Sequence, residues 1–96
     1  VLHDNETAFR HYQLIPRMLQ NISAPDLSTT LLDIPLSMPV IAAPIASHGL
    51  MHENGERVTV KGVGAAGTIF SLSTYGNSRI ADVAASSPDT PKFFQL

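Results

Sequence analysis

The stretch that decides the fold is the apolar run PVIAAPIA at residues 39–46. The run is long enough for one strand and lacks the polar alternation of a half-exposed strand, so it predicts a strand buried on both faces. Two later stretches are also strand-like: TIFSLST at residues 68–74, which is rich in β-branched side chains, and KFFQL at residues 92–96. The sequence therefore predicts three strands, the third of which begins close to Leu96.

Helical segments separate these strands. Residues 55–66 are weakly helical after Asn54, and Gly67 is placed to end that helix in the left-handed conformation. Ser78 is expected to cap a short second helix that Pro88 closes. Because strands and helices alternate, the strands should be parallel and joined by right-handed crossovers, which predicts an α/β fold.

The residues before the first of these strands predict a helix and a loop. Residues 5–15 carry apolar side chains at helical spacing, with Asp4 or Asn5 as the N-cap, and Pro16 should end or bend this helix. Residues 21–39 contain several prolines among short apolar pairs, which is typical of a loop with room for a small hairpin.

Composition narrows the classes of function. Hydrophobic residues make up 44% and charged residues 15%, which favours a packed core over disorder, and the net charge of −2 gives no footprint for nucleic acid or an anionic membrane. The absence of cysteine excludes disulfides and thiolate metal sites. No apolar run approaches the about 20 residues of a membrane span, and the first residues do not resemble a signal peptide. We therefore expect a cytoplasmic protein without membrane or nucleic-acid partners.

A parallel sheet of three strands that ends on an uncovered apolar edge is a poor stopping point for a domain. We therefore expect residues 1–96 to be a piece of a larger domain, incomplete by itself.

Polar side chains occur where the predicted strands end. Ser73 and Gln95 would lie at equivalent heights on neighbouring strands, at the edge where α/β proteins bind ligands, and both can hydrogen-bond a planar heterocycle. The alternative is that Ser73 caps a loop and Gln95 faces solvent. Spacing alone leaves both interpretations open.

Two other motifs suggest binding sites but have simpler explanations. The run GVGAAG at residues 62–67 matches the dinucleotide fingerprint, with Asp82 downstream, but a fingerprint must open a helix, whereas these glycines precede a strand. Close packing of a helix end on the sheet is the competing explanation. His48 and His52 have the four-residue spacing of a metal pair but lack a third ligand, so a loop role is expected.

Acidic residues and possible nucleophiles give no further site. The side chains of Glu53 and Glu56 are expected to be exposed to solvent at the start of a helix, where the helix dipole favours acids. No nucleophile and base of the Ser/His/Asp kind can be argued from this stretch.

Several segments together resemble one family, the FMN-dependent 2-hydroxy acid oxidases and dehydrogenases, nearest to the bacterial lactate oxidases. The similar segments occur in the family's order and cover nearly the whole chain: residues 5–9 and 15–19, 26–30, 38–46, 67–75 and 93–96. The resemblance implies a partial TIM (β/α)8 barrel that comprises an N-terminal helix, a lower hairpin and the first three parallel strands with two helices.

The resemblance also implies a flavin site. By this similarity, the backbone of Pro44, Ile45 and Ala46 lies against FMN, and two polar side chains, those of Ser73 and Gln95, hydrogen-bond the isoalloxazine ring. One further residue borders the substrate pocket, namely Tyr75. The family's histidine base, flavin lysine and substrate-binding arginine come later in the barrel, so no catalytic residue and no metal ligand is expected in this chain. The two histidines at positions 48 and 52 match a loop and do not replace the base.

For the parent protein, the resemblance implies oxidation of L-lactate to pyruvate, with O2 reduced to H2O2, by a homotetramer. Ala46 favours oxidase over monooxygenase behaviour, because members with glycine there lean toward the latter. Three alternatives remain: a related glycolate oxidase or flavin dehydrogenase, a non-catalytic truncated or nicked fragment with a structural role, and a dinucleotide-binding module.

Overall fold

The computed structural model describes residues 1–21 and 23–96. In chain order, its helices and strands are α1 (Leu2–Thr7), β1 (Thr29–Leu31), β2 (Ile34–Leu36), β3 (Ala42–Ile45), α2 (Glu56–Ala65), β4 (Phe70–Leu72), α3 (Ile80–Ser86) and β5 (Lys92–Phe94), with 3₁₀ turns at Ala8–His11 and His48–Leu50. Strands β3, β4 and β5 form a parallel sheet in that order, and α2 and α3 lie in the two connections. The predicted α/β alternation is confirmed. Within the described ranges, no helix is long and apolar enough to cross a membrane.

The core forms where the two helices cover one face of the central strand. All three residues of β4 are buried, and Phe70 and Leu72 pack with Val60 of α2 and Val83 of α3. Alternation along a strand places these two β4 side chains on the helix-covered face and Ser71 on the opposite one. Complete burial of such an apolar side chain contributes about 1.5–3 kcal/mol, so this cluster holds the sheet and helices together.

Strand β3 departs from the prediction of a strand buried on both faces. Ala42 is half-buried, whereas the residues that follow it to the end of the strand are exposed. Ala42 pairs with Phe70 and Ile45 pairs with Leu72, so three steps of β3 span two steps of β4. The irregularity contains Pro44, which has no N–H for the ladder and is tolerated on an edge strand. The prediction was wrong because, among the described residues, β3 pairs with β4 alone and packs little on its other face.

The predicted helix over residues 5–15 is also wrong in its bounds. The helix begins at Leu2, which excludes Asp4 and Asn5 as the N-cap, and the 3₁₀ turn ends at His11. Helices this short depend on packing of their apolar face. Phe9 is 80% exposed and Tyr12 is 82% exposed, so that packing is missing here.

The small hairpin within residues 21–39 is confirmed. Strands β1 and β2 pair antiparallel, and the turn residues Leu32 and Asp33 have φ values of 50° and 62°, as in the tight turns that match strand twist. The Ser37 N–H donates to the Gly67 carbonyl oxygen at 2.9 Å, which anchors the hairpin beside the end of α2. Gly67 has φ of 68°, and so ends that helix as predicted.

The helix after β4 also has a start that differs from the prediction. Helix α3 begins at Ile80 after Arg79, which makes no side-chain capping hydrogen bond, so Ser78 is not its cap. The backbone N–H of Ser78 points instead to the side chain of Glu56. The helix ends at Ser86, before Pro88, as predicted.

Candidate functional site

The carboxyl ends of the three parallel strands bring two predicted site residues together. The Gln95 N–H donates to the Leu72 carbonyl oxygen at 2.9 Å, which extends the β4–β5 pairing beyond β5. The Ser73 hydroxyl lies 3.3 Å from the side-chain oxygen Oε1 of Gln95, to which it donates. The expectation that these side chains lie side by side on neighbouring strands is confirmed.

Ser73 and Gln95 differ in exposure. Ser73 is buried and its Oγ accepts the Tyr75 N–H at 3.2 Å, whereas Gln95 is exposed. The alternative interpretation, a loop cap and a solvent-facing amide, therefore describes part of the geometry as well. The two interpretations are compatible, because a ligand site must present polar groups to solvent before the ligand binds.

The end of β3 supplies an open apolar surface next to this polar pair. Pro44, Ile45 and Ala46 are exposed, and the Ile45–Leu72 pairing places them beside the end of β4. The following loop turns sharply at Ser47, whose φ is 58°. The exposure of all three residues and the small side chain of Ala46 leave room for a flat group against the strand end.

Tyr75 is tied to the same region through its backbone. Its carbonyl oxygen accepts the Ser47 N–H at 3.2 Å, which joins the loop after β4 to the loop after β3. The Tyr75 side chain is 78% exposed. The structure thus brings all six predicted residues to one edge of the sheet, with the tyrosine in the loop beyond the strand ends.

The donor set suits a heterocycle that presents both N–H and C=O groups. A serine hydroxyl and a glutamine amide can each donate and accept hydrogen bonds. The side chains of Ser73 and Gln95 supply these groups beside the uncharged surface of residues 44–46. The flavin that the sequence resemblance implies fits this combination of a flat apolar contact and edge hydrogen bonds.

Glu56 is the residue that sequence reasoning misjudged most. It was expected on a solvated helix start, but its side chain is 0% exposed. Oε1 accepts the Asn77 N–H and Oε2 accepts the Ser78 N–H, each at 2.9 Å. Burial opposes ionisation, but hydrogen bonds from the Ser78 side chain and from backbone N–H groups outweigh it and lower the pKa of Glu56 to about 2. The partners lie more than twenty residues away in sequence, so no spacing pattern signals them.

The two histidines have local structural partners. His48 Nδ1 lies 2.8 Å from the Thr59 hydroxyl oxygen, and its ring meets that of Phe70 edge-on at 6.4 Å between centroids. His52 Nδ1 accepts the Asn54 N–H at 3.1 Å. Over residues 1–21 and 23–96, no three His, Cys, Asp or Glu side chains group closely enough to hold a metal ion.

The glycine run at residues 62–67 does not form a dinucleotide site. Gly62 and Gly64 lie in the C-terminal half of α2, not at the opening of a helix. A Cβ built on Gly64 would stand 2.0 Å from the Thr90 hydroxyl oxygen. The dinucleotide-binding interpretation is therefore wrong, and close packing of the helix end explains the glycine at position 64.

Comparisons with known proteins show what the chain is similar to. The family model described as FMN-dependent dehydrogenase matches residues 1–96. An L-lactate oxidase of Lentilactobacillus hilgardii is 47% identical over 95 residues, which are 99% of this chain and 26% of that protein. Glycolate oxidase 1 of Zea mays is 39% identical over the same shares of the two chains.

A solved structure agrees in fold as well. The crystal structure of a lactate oxidase from Pediococcus acidilactici matches with a TM-score of 0.85 and 44% identity, over 99% of this chain and 26% of that one. The predicted partial (β/α)8 barrel is thereby confirmed. The chain spans about a quarter of the length of the relatives it matches. Since both the family model and these relatives match it along its length, the chain belongs to the FMN-dependent dehydrogenase family.

Proposed function

We propose that this chain forms the first part of the FMN-binding barrel of a 2-hydroxy acid oxidase that converts L-lactate and O2 to pyruvate and H2O2. The observation that carries the proposal is the Ser73–Gln95 pair at the carboxyl edge of the sheet, beside the exposed end of β3. Ligands of α/β barrels bind at this edge. The pair therefore lies where a ligand would bind, and its hydrogen-bonding groups suit a flavin.

The residues of this chain would hold and orient the cofactor. The backbone of residues 44–46 would lie against the flavin ring, and the side chains of Ser73 and Gln95 would hydrogen-bond its polar edge. Tyr75 would border the substrate, because its exposed ring stands in the loop just beyond the strand ends. When bound, FMN supplies the hydride acceptor, while the protein positions it and excludes competing reactions.

L-lactate is the favoured substrate because the more similar relative named above is an L-lactate oxidase. The glycolate oxidase of Zea mays supports a second candidate, glycolate, at lower identity. A dehydrogenase of the same family that transfers electrons elsewhere than to O2 is the third. These differ in the substrate and electron acceptor used, not in the geometry described here.

The remaining parts of the proposal concern assembly. We expect the rest of a barrel to cover the exposed edges of β3 and β5 and the apolar residues near them, such as Ile41 and Phe94. A homotetramer is expected by similarity to the family, and a cytoplasmic location is part of the same proposal. The competing proposal is a non-catalytic chain with a structural role, which would contain no flavin.

The test is a flavin assay of the full-length protein with a matched pair of variants. We expect a yellow protein that produces H2O2 with L-lactate faster than with glycolate. Gln95→Ala should weaken FMN binding roughly tenfold, because it removes a hydrogen-bonding group from the ring edge. Gln13→Ala removes an exposed amide from the segment before β1, outside the proposed site, and should leave the flavin content unchanged.

The outcomes separate the candidates. A colourless wild-type protein would remove the oxidase proposal altogether. Undiminished flavin content of Gln95→Ala after gel filtration would remove Gln95 from the site. Turnover with an artificial electron acceptor but without H2O2 would indicate a dehydrogenase, and preference for glycolate would replace the proposed substrate.

A further inference from the structure

Glu56 is a fully buried carboxylate whose charge is balanced by peptide groups. Both of its oxygens accept backbone N–H groups, those of Asn77 and Ser78, at 2.9 Å. Burial of an ionised group is costly unless its hydrogen bonds are complete, so the arrangement is specific to a carboxylate. It joins the first residue of α2 to the loop between β4 and α3.

That loop is the one that carries Ser73 and Tyr75. Its first half is closed by a turn in which the Gly76 N–H donates to the Ser73 carbonyl oxygen at 3.0 Å. Its second half has the Glu56 carboxylate beneath it, and a Cβ on Gly76 would stand 3.3 Å from Oε1. The carboxylate thus closes the loop at the end farther from β4.

The same contacts reach the loop after β3. The Asn77 side-chain oxygen accepts the Gly49 N–H at 2.9 Å, and the Ser47 N–H donates to the Tyr75 carbonyl oxygen at 3.2 Å. The two loops are therefore joined at two points, and Asn77 is held from both sides. A shift of residues 77 and 78 would be transmitted to both loops that border the strand ends.

We infer that Glu56 is a positioning residue whose carboxylate fixes the loop of residues 73–78, so that Ser73 is held against the flavin and Tyr75 beside the substrate. The inference rests on the proposed function. It assigns to Glu56 no contact with cofactor or substrate, since its side chain lies beneath the loop. Its effect on the flavin is exerted through the backbone of Asn77 and Ser78.

The test is Glu56→Gln in the full-length protein, with flavin affinity and the visible circular dichroism of bound flavin as readouts. An amide keeps the shape but turns one acceptor into a donor, which would face a backbone N–H. We expect the Kd for FMN to rise roughly tenfold, because a smaller fraction of the protein then has the loop in the conformation that binds flavin, and the dichroism to change.

Two control variants separate positioning from general destabilisation. Glu53→Gln makes the same chemical change on an exposed carboxylate three residues away and should leave the Kd unchanged. Val60→Ala weakens the core one turn further along α2, where Val60 packs in a cluster with Phe70, Leu72 and Val83. It should lower the melting temperature while leaving the Kd and the dichroism of the wild type. Equal flavin affinity in Glu56→Gln and the wild type, or equal loss in Glu56→Gln and Val60→Ala, would overturn the inference.

Hydrogen exchange of the flavin-free protein tests the contact between Glu56 and the loop without relying on the cofactor. The amides of Asn77 and Ser78 should exchange faster in Glu56→Gln than in the wild type or in Glu53→Gln. Unchanged exchange would overturn the inference even if flavin binds. A wild type that binds no FMN would contradict the proposed function, and faster exchange would then still support the loop contact of Glu56.

Discussion

At the scale of single residues, the Glu56 carboxylate makes the stability of the fold depend on pH. Its pKa is lowered from 4.5 to about 2 because the hydrogen bonds from residues 77 and 78 outweigh the cost of burial. A carboxylate whose pKa is lower in the folded state than in the unfolded state stabilises the fold at higher pH. This contribution is complete above pH 4.5 and is lost as the pH falls toward 2.

We therefore expect the unfolding free energies of the wild type and Glu56→Gln to converge in acid. The difference between them should be constant from about pH 7 to about pH 5 and should shrink below the unfolded-state pKa, by up to roughly 3 kcal/mol over the whole transition. Urea unfolding of the full-length, flavin-free protein at several pH values measures it. A difference that widens in acid would mean that the pKa of Glu56 is raised instead.

Contacts between single residues were predictable where the order of the strands brings those residues together. Ser73 and Gln95 each stand just beyond a strand, and parallel strands align their carboxyl ends, so their proximity follows from the sequence. The role of Glu56 does not, because its partners are backbone groups of a distant loop. An acid at a helix start is normally solvated, and nothing in the local sequence marks this one as buried.

At the scale of elements, the strands and helices around the core were predictable, whereas the starts of α1 and α3 were not. Strand β4 and helix α2 follow from apolar pattern and from Gly67, whose left-handed conformation ends the helix. The N-terminal helix was misplaced because its apolar side chains, such as Phe9, lack the packing that would extend it. The bounds of an element that depends on packing against distant residues cannot be predicted from the local sequence pattern.

Helix α2 offers a prediction with an internal control. Gly64→Ala should destabilise the full-length protein by about 1–3 kcal/mol, because the new Cβ would overlap the Thr90 hydroxyl. That hydroxyl is held by the Ser87 hydroxyl at 2.7 Å and cannot move freely.

Gly62→Ala makes the same change two residues earlier, where no atom lies within 4 Å of the new Cβ. It should stabilise the protein by up to about 1 kcal/mol, because alanine favours helix more than glycine does. Urea unfolding curves of both variants measure the contrast. Equal effects of the two substitutions would contradict the close contact between α2 and Thr90.

At the scale of the whole molecule, the chain is less compact than a complete domain of its length. Its radius of gyration is 17.3 Å, against about 12–13 Å for a compact domain of the same length. Large apolar side chains lie exposed along residues 1–19, including Leu14 at 99% and Ile15 at 91%. Such a surface favours association with other apolar surfaces.

Expressed alone, residues 1–96 should therefore aggregate or bind a hydrophobic dye such as ANS, while the full-length protein should not. The parallel edges of β3 and β5 add unpaired backbone groups to this tendency. Analytical ultracentrifugation and dye fluorescence of both proteins at equal concentration measure the difference. A monodisperse 96-residue chain without dye binding would show that it folds independently and would weaken the proposal that a larger barrel covers it.

The order of strands in the sheet has a consequence for synthesis on the ribosome. Each strand pairs with the next strand in sequence, and Ala42, Phe70 and Lys92 mark partners separated by about 20–30 residues. At translation rates of roughly 5–20 residues per second, a strand's partner emerges within seconds, so assembly can proceed vectorially. The sheet can grow one crossover at a time, while the outer edge of β3 stays unpaired until the rest of the proposed barrel has been made.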